Sequence, residues 1–238
     1  KVERAKEEAM GKKFQGVVDH YLFVGNPGTG KTTVARIMGN IFYSLGVLPS
    51  NRLLEVTRKD LVEGYVGQTA TKTARVVKRA VGGVFFIDEA YSLMGDNFGQ
   101  EATNTILPML LDYKGKMVCI AAGYPREIRQ WIDTNSGLES RFTKVIHFED
   151  YNPDELAQIF RMKVKKDKLT LTPEAENAMR VYFTDLYNRR ERNFANAREV
   201  NNYFDRVKKN QSSRLRHEME RPDFDPASYS ILLPEDMG

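Results

Sequence analysis

The run "GNPGTGKTT", residues 25–33, fits the spacing G-x-x-x-x-G-K-[ST] with Gly25, Gly30, Lys31 and Thr32. Glycines so placed let successive backbone N–H groups curl around phosphate oxygens, and a helix that follows points its positive end at the same anion. A lysine there neutralises the β- and γ-phosphates, and the adjacent hydroxyl is a hard ligand for Mg²⁺. A second stretch, "GGVFFIDEA" at residues 82–90, runs through four apolar residues into the carboxylates Asp88 and Glu89. Phosphoryl transfer to water needs one carboxylate near the metal and another to orient the nucleophile. Asp88 suits the first task and Glu89 the second. A helix-capping acid after a core strand accounts for Asp88, but less naturally for the pair. Together the two stretches predict hydrolysis of a nucleoside triphosphate.

Three further residues have two readings each. Arg141, in "GLESRF", precedes a strand-like run. Such an arginine stabilises charge developing on a γ-phosphate, often one held by a neighbouring subunit; the plainer reading is a surface or salt-bridged arginine. Arg198, in "NFANAREV", falls in the first turn of a predicted helix, where the dipole disfavours a cation unless a phosphate lies close. Tyr65 stands between Gly64 and Gly67 in "EGYVGQ". Large aromatics usually go inside and Gly-rich loops usually lie outside, so the plain expectation is a ring packed on a neighbour. Cys119, in the apolar run "MVCIAAG", reads as a buried thiol, and His20, His147 and His217 lack the spacing of metal ligands.

The elements that must position these residues alternate along the first part of the chain. "HYLFVG", "LLEVT", "VFFID", "MVCIAAG" and "KVIHFE" read as strands with helical stretches between them. Nearly continuous apolar strands separated by helices indicate a parallel sheet covered on both faces. The helix opened by Lys31 is expected to present an apolar face through Val34, Ile37, Ile41 and Leu45. After "DYNP" the strands stop. Pro153 with two acids starts one helix, Thr172 and Pro173 cap a second, and Val200, Tyr203, Phe204 and Val207 mark a third. "SYSILLP" suggests a short strand or an extended tail. The expected organisation is an α/β nucleotide-binding domain over 1–150 and a helical domain over 151–238, with a short hinge.

Composition limits the function classes. The 238 residues are 41% hydrophobic and 29% charged, as in soluble globular proteins. No apolar run approaches the ~20 residues that cross a bilayer, so no membrane insertion is expected. The single cysteine fits a reducing, cytoplasmic compartment. A net charge of +4 is spread along the chain, and "KVKKDK" and "NRRERN" are interrupted by acids like solvated helix faces. A nucleic-acid partner is therefore not favoured.

With these pieces in order the chain resembles the AAA+ ATPases, and among them the family of the red-type Rubisco activase CbbX. That family also takes in stage V sporulation K-type proteins and the ATPase of type VII secretion. The blocks that carry the likeness run from about Tyr21 to Leu215: "GNPGTGKTTVARIMG", "VTRKDLVEGYVGQTATKT", "GGVFFIDEAYSL", "GQEA", "AAGY", "SRF" and "FANAREVNN". The resemblance implies a five-stranded parallel sheet domain followed by a helical lid. It implies a homohexameric ring, assembled in response to nucleotide, with ATP and Mg²⁺ bound between the domains at subunit interfaces. It implies a phosphate loop of Asn26, Pro27, Gly28, Thr29, Gly30, Lys31, Thr32 and Thr33. Asp88 and Thr32 serve Mg²⁺, partly through water, and Glu89 activates the attacking water. Arg141 is the finger reaching the neighbour's ATP, and Arg198 the lid's phosphate sensor. Tyr65 and Val66 then belong to a pore loop that grips a client protein, a different expectation from a packed ring.

Some features depart from the family pattern. Glu139 stands where some relatives carry a first finger arginine. "AAGY" ends in Gly123 and Tyr124 instead of the polar sensor residue, so Tyr124 is the candidate there. Only about 24 residues precede Gly25, with no match to the family's adenine-holding segment, so the chain is expected to be a piece of a longer protein. Three functions follow. The first is an ATP-driven remodeller pulling a client protein through pore loops. The second is an AAA+ ATPase acting on nucleic acid, which would need a concentrated basic surface. The third is a nucleotide-regulated assembly module with little turnover.

Overall fold

The computed structural model describes residues 19–65, 67–222 and 224–238, so Val66 lies outside the described residues. The five apolar runs form β1 (Tyr21–Gly25), β2 (Leu53–Val56), β3 (Val84–Ile87), β4 (Val118–Gly123) and β5 (Lys144–Phe148). They pair in the order β2-β3-β4-β1-β5, all parallel. Ile87 is in register with Ala121, and Val24 with Gly123. The carboxyl ends of β3, β4 and β1 therefore stop side by side, at the edge where open α/β sheets hold ligands.

Side chains alternate between the two faces, as strand geometry requires. Leu22, Val24, Phe85, Ile87, Cys119 and Ala121 join one buried cluster, while Phe23, Val84, Phe86, Ile120 and Ala122 join another. Both faces then need helices. The second cluster is covered by α1 (Lys31–Ser44). The first is covered by α2 (Arg58–Leu61), α3 (Gln68–Ala80), α4 (Asn97–Asp112), α5 (Pro125–Asp133) and α6 (Ser136–Arg141), with a 3₁₀ turn at Ala90–Leu93 after β3.

The buried face of α1 is rotated from the expected one. Ala35 and Gly39 are buried and Val34, Met38 and Phe42 pack beside them, whereas Ile37, Ile41 and Leu45 are half exposed. The reason is close approach: a Cβ on Gly39 would meet the Val84 methyl at 3.2 Å. Small residues admit the helix to that distance and isoleucines do not.

The described residues fall into two compact units. The first holds residues 19–25 and Gly30–Phe148, and the second holds Asn26–Thr29 with the described residues of Glu149–Gly238. The second unit contains α7 (Pro153–Lys166), α8 (Pro173–Asn188), α9 (Ala197–Glu218) and α10 (Pro234–Met237), with β6 (Thr170–Leu171) paired to β7 (Ile231–Leu232). Asn152 caps α7 by accepting from the Glu155 amide, and Glu155 returns the bond to the Asn152 amide. Thr172 caps α8 through the Ala175 amide with Pro173 at its first position. Phe160, Phe183, Val200, Tyr203, Phe204 and Val207 form the core. Arg214, pairing with buried Asp236 at 2.9 Å and with Glu218 at 3.0 Å, ties α10 to α9.

His20 gives the first unit a pH dependence. Its Nδ1 accepts from the Cys119 amide at 3.0 Å, and burial pushes its pKa below the ordinary 6.5. The unfolded chain therefore binds a proton at a higher pH than the folded one, so stability is lost as pH falls through about 6.5. His20→Gln, which keeps an acceptor and cannot titrate, is expected to flatten the fall in Tm between pH 7 and pH 5. An unchanged slope by calorimetry would remove His20 from this role.

Candidate functional site

The loop leaving β1 is shaped by its own residues and by others of the second unit, to which residues 26–29 belong. Gly28 and Gly30 have φ of 71° and 89°, a region that costs other residues strain. Within the second unit the Thr29 hydroxyl donates to the Asn26 carbonyl at 2.8 Å. The Pro27 carbonyl accepts from Asn196 Nδ2 at 3.3 Å, the Gly28 carbonyl from the Ala197 amide at 3.2 Å, and the Thr29 carbonyl from the Tyr151 hydroxyl at 3.1 Å. The carbonyls of residues 26–29 are thus all engaged. The amides of Gly28, Thr29 and Gly30 have no acceptor among the described residues. Amides left in such a loop, ahead of a helix start, form an anion cradle.

Lys31 opens α1, and its Nζ donates to the Gly25 carbonyl at 2.9 Å. Thr32 and Thr33 follow in the first turn, whose amides have no intrahelical acceptor. The Thr32 hydroxyl meets Glu55 only at a long 3.5 Å, so its oxygen is available to a cation. Asp88 and Glu89 leave β3: the Asp88 amide donates to the Val56 carbonyl at 2.8 Å, and Asp88 Oδ1 accepts from the Glu89 amide at 3.1 Å. Glu89 takes φ 51° and ψ 47° and is exposed, while Asp88 is half-buried. Among the described residues no cluster of three or more His, Cys, Asp or Glu side chains is placed to hold a metal. Thr32 and Asp88 are hard oxygen donors that fit Mg²⁺ when phosphate and water complete its shell.

Tyr124 caps α5 at the end of β4, and its ring centroid lies 5.7 Å from that of Tyr91. Burial and the nearby Glu89 carboxylate hold the Tyr91 hydroxyl well above the ordinary tyrosine range. Arg141 ends α6, and its guanidinium donates to the Leu107 and Gly137 carbonyls at 3.1 Å and to the Ser140 hydroxyl at 2.8 Å. Arg198 stands exposed in the first turn of α9. Tyr65, between α2 and α3, is 74% exposed. Gly64 and Gly67 on either side have open space around them.

Asp150, Tyr151 and Asn196 escaped sequence reading. Asn26, expected at the nucleotide, turns its Nδ2 onto both Asp150 oxygens at 2.9 and 3.1 Å. "DYNP" was legible as a boundary, but nothing in it announces a contact with residues more than a hundred positions earlier.

Comparison with known proteins follows the same division. The family model "ATPase family associated with various cellular activities (AAA)" matches residues 21–150, and an AAA lid domain model matches residues 152–238. The chain is 40% identical to Protein CbbX of Cereibacter sphaeroides, over 99% of this chain and 76% of that one. It is 43% identical to the chloroplastic ribulose bisphosphate carboxylase/oxygenase activase of Cyanidioschyzon merolae, over 82% of this chain and 68% of the other. Among solved structures the FIGL-1 AAA domain superposes with a TM-score of 0.65 at 16% identity, covering 99% of this chain and 74% of that one.

Proposed function

Because the chain belongs to the AAA ATPases of the CbbX type, which hydrolyse ATP to remodel client proteins, we propose that it works as a homohexameric ring whose Tyr65 loops grip a client protein. The observation that carries the nucleotide part is the loop at residues 26–30, with its carbonyls engaged and its amides left for an anion. Mg²⁺·ATP, when bound, would supply the transferable γ-phosphoryl group and a cation that offsets its negative charge. Gly28, Thr29 and Gly30 donate backbone hydrogen bonds to phosphate oxygens, and Lys31 adds a positive charge. Thr32 and Asp88 offer oxygens to the cation. Glu89 orients the attacking water and accepts its proton. Arg141 and Arg198 stabilise charge on the γ-phosphate, the first from a neighbouring copy. The carboxylase named for the Cyanidioschyzon relative is that protein's client and is not assigned to this chain.

The gripping role rests on Tyr65, a large ring 74% exposed at the tip of a glycine-flanked loop. An exposed aromatic grips a peptide of almost any sequence by apolar contact. Tyr65→Ala is expected to keep the parent's ATP affinity and basal turnover. It should lose about tenfold or more of the turnover stimulated by an unstructured polypeptide. Parent-like stimulation in a steady-state phosphate-release assay would take the client contact away from this residue. No helix among the described residues is long and apolar enough to cross a membrane.

A further inference from the structure

We propose that Asn196 is a positioning residue for nucleotide binding, holding the phosphate loop in its amide-inward shape through Pro27 and Asp150. The inference rests on reading residues 25–33 as the ATP site. Asn196 is completely buried, with φ 50° and ψ −120°, a backbone region costly for any residue but glycine. The side chain explains why glycine does not stand there. Its Nδ2 lies 2.7 Å from Asp150 Oδ1, 3.0 Å from the Phe194 carbonyl and 3.3 Å from the Pro27 carbonyl. Its Oδ1 accepts from the Tyr151 amide at 2.8 Å. Asp150 in turn receives Asn26 Nδ2. The amide group is therefore used on both sides, and a buried amide so engaged is costly to remove.

The twisted backbone at Asn196 has a second effect. It turns the next amide, Ala197, onto the Gly28 carbonyl at 3.2 Å, and brings the Ala195 carbonyl so close that a Cβ on Gly28 would lie 2.3 Å from it. With the Tyr151 hydroxyl on Thr29, three consecutive loop carbonyls are each held by a different residue. Every one of these contacts lies within the second unit. A carbonyl turned toward a phosphate repels it, whereas an amide attracts it. Asn196 thus acts on the nucleotide through the loop and does not touch it.

Binding of ADP and ATP to the full chain tests this. Asn196→Gly relieves the backbone strain and deletes the side-chain bonds, so folding by circular dichroism is kept while both affinities fall together by about tenfold. The fall is common to both nucleotides because loop amides cradle phosphates that both carry. Arg198→Ala, by contrast, weakens ATP more than ADP. Asn196→Asp sets two carboxylates side by side and binds more weakly still, and adding Asp150→Asn recovers part of the loss. Parental ADP affinity in folded Asn196→Gly overturns the proposal, as does a double variant no better than Asn196→Asp alone. Should Asn196→Gly not fold, Asn196→Asp carries the test, with ADP weakened about tenfold or more and part of the loss recovered by adding Asp150→Asn. Parental affinity there is equally fatal. A parent protein that binds neither nucleotide overturns the reading of the site itself, and the inference with it.

Discussion

Glu89→Gln is expected to bind ATP with the parent's affinity and to hydrolyse it about 10²–10⁴-fold more slowly, the range lost when a general base is removed. The backbone supports the assignment. Glu89 is one of three described non-glycine residues with positive φ, and it is held there by the turn that follows, where the Ser92 amide donates to the Glu89 carbonyl at 2.7 Å. A left-handed conformation costs a glutamate about 1–3 kcal/mol and persists where the surroundings impose it. The kink ends the strand's alternation, so two consecutive carboxylates have different exposures: Asp88 half-buried, Glu89 open to solvent. Glutamine keeps the size and the hydrogen-bonding oxygen but cannot take a proton. Equilibrium binding of ATP with phosphate release under the same conditions checks both halves. Parental turnover in the variant would assign the base elsewhere, and loss of binding would make Glu89 a structural residue. A variant that binds without turnover also holds its client, so it serves as the bait for identifying it.

Arg141→Ala is expected to lose about 10³-fold or more in turnover, the scale of an arginine finger. Its guanidinium is fixed in its own chain by the Leu107 and Gly137 carbonyls and the Ser140 hydroxyl. A finger already held in place loses little side-chain freedom when it meets a phosphate, which is the advantage of preorganised charge. Arg141→Lys does not restore activity, because a lysine cannot reproduce the planar fork that makes these bonds. Mixing decides whether the residue acts in trans. In a ring with head-to-tail contacts, each site takes Glu89 from one copy and Arg141 from the next. An equal mixture of Arg141→Ala and Glu89→Gln therefore regains activity at about a quarter of its interfaces. A mixture as inactive as its two components would mean that Arg141 acts within its own chain, or only in folding.

Much of this was legible beforehand. The runs that became the central strands β1, β3 and β4 were readable because a strand buried on both faces needs no alternation to be recognised, whereas the edge strands β2 and β5 are more exposed. The caps at Asn152 and Thr172 were readable because capping is local, settled within three residues. The spacing of "GNPGTGKTT" and the acids after "VFFI" point to the chemistry without tertiary information. The buried face of α1 was misjudged: periodicity reports which residues are apolar, whereas closeness to Val84 selected Ala35 and Gly39 over the isoleucines. Tyr65 was readable as an oddity, and its exposure needed the loop in three dimensions.

Residue types and spacing alone thus specify the sheet, the helix starts and the groups proposed to handle a nucleotide, since each depends on neighbours a few positions apart. The shape of the phosphate loop is of another kind. Its carbonyls are held by Tyr151, Asn196 and Ala197, and Asn196 lies 169 positions from Pro27 and 46 from Asp150. A buried amide finds its partners only when distant segments have packed and water has gone, so its role depends on the assembled tertiary structure.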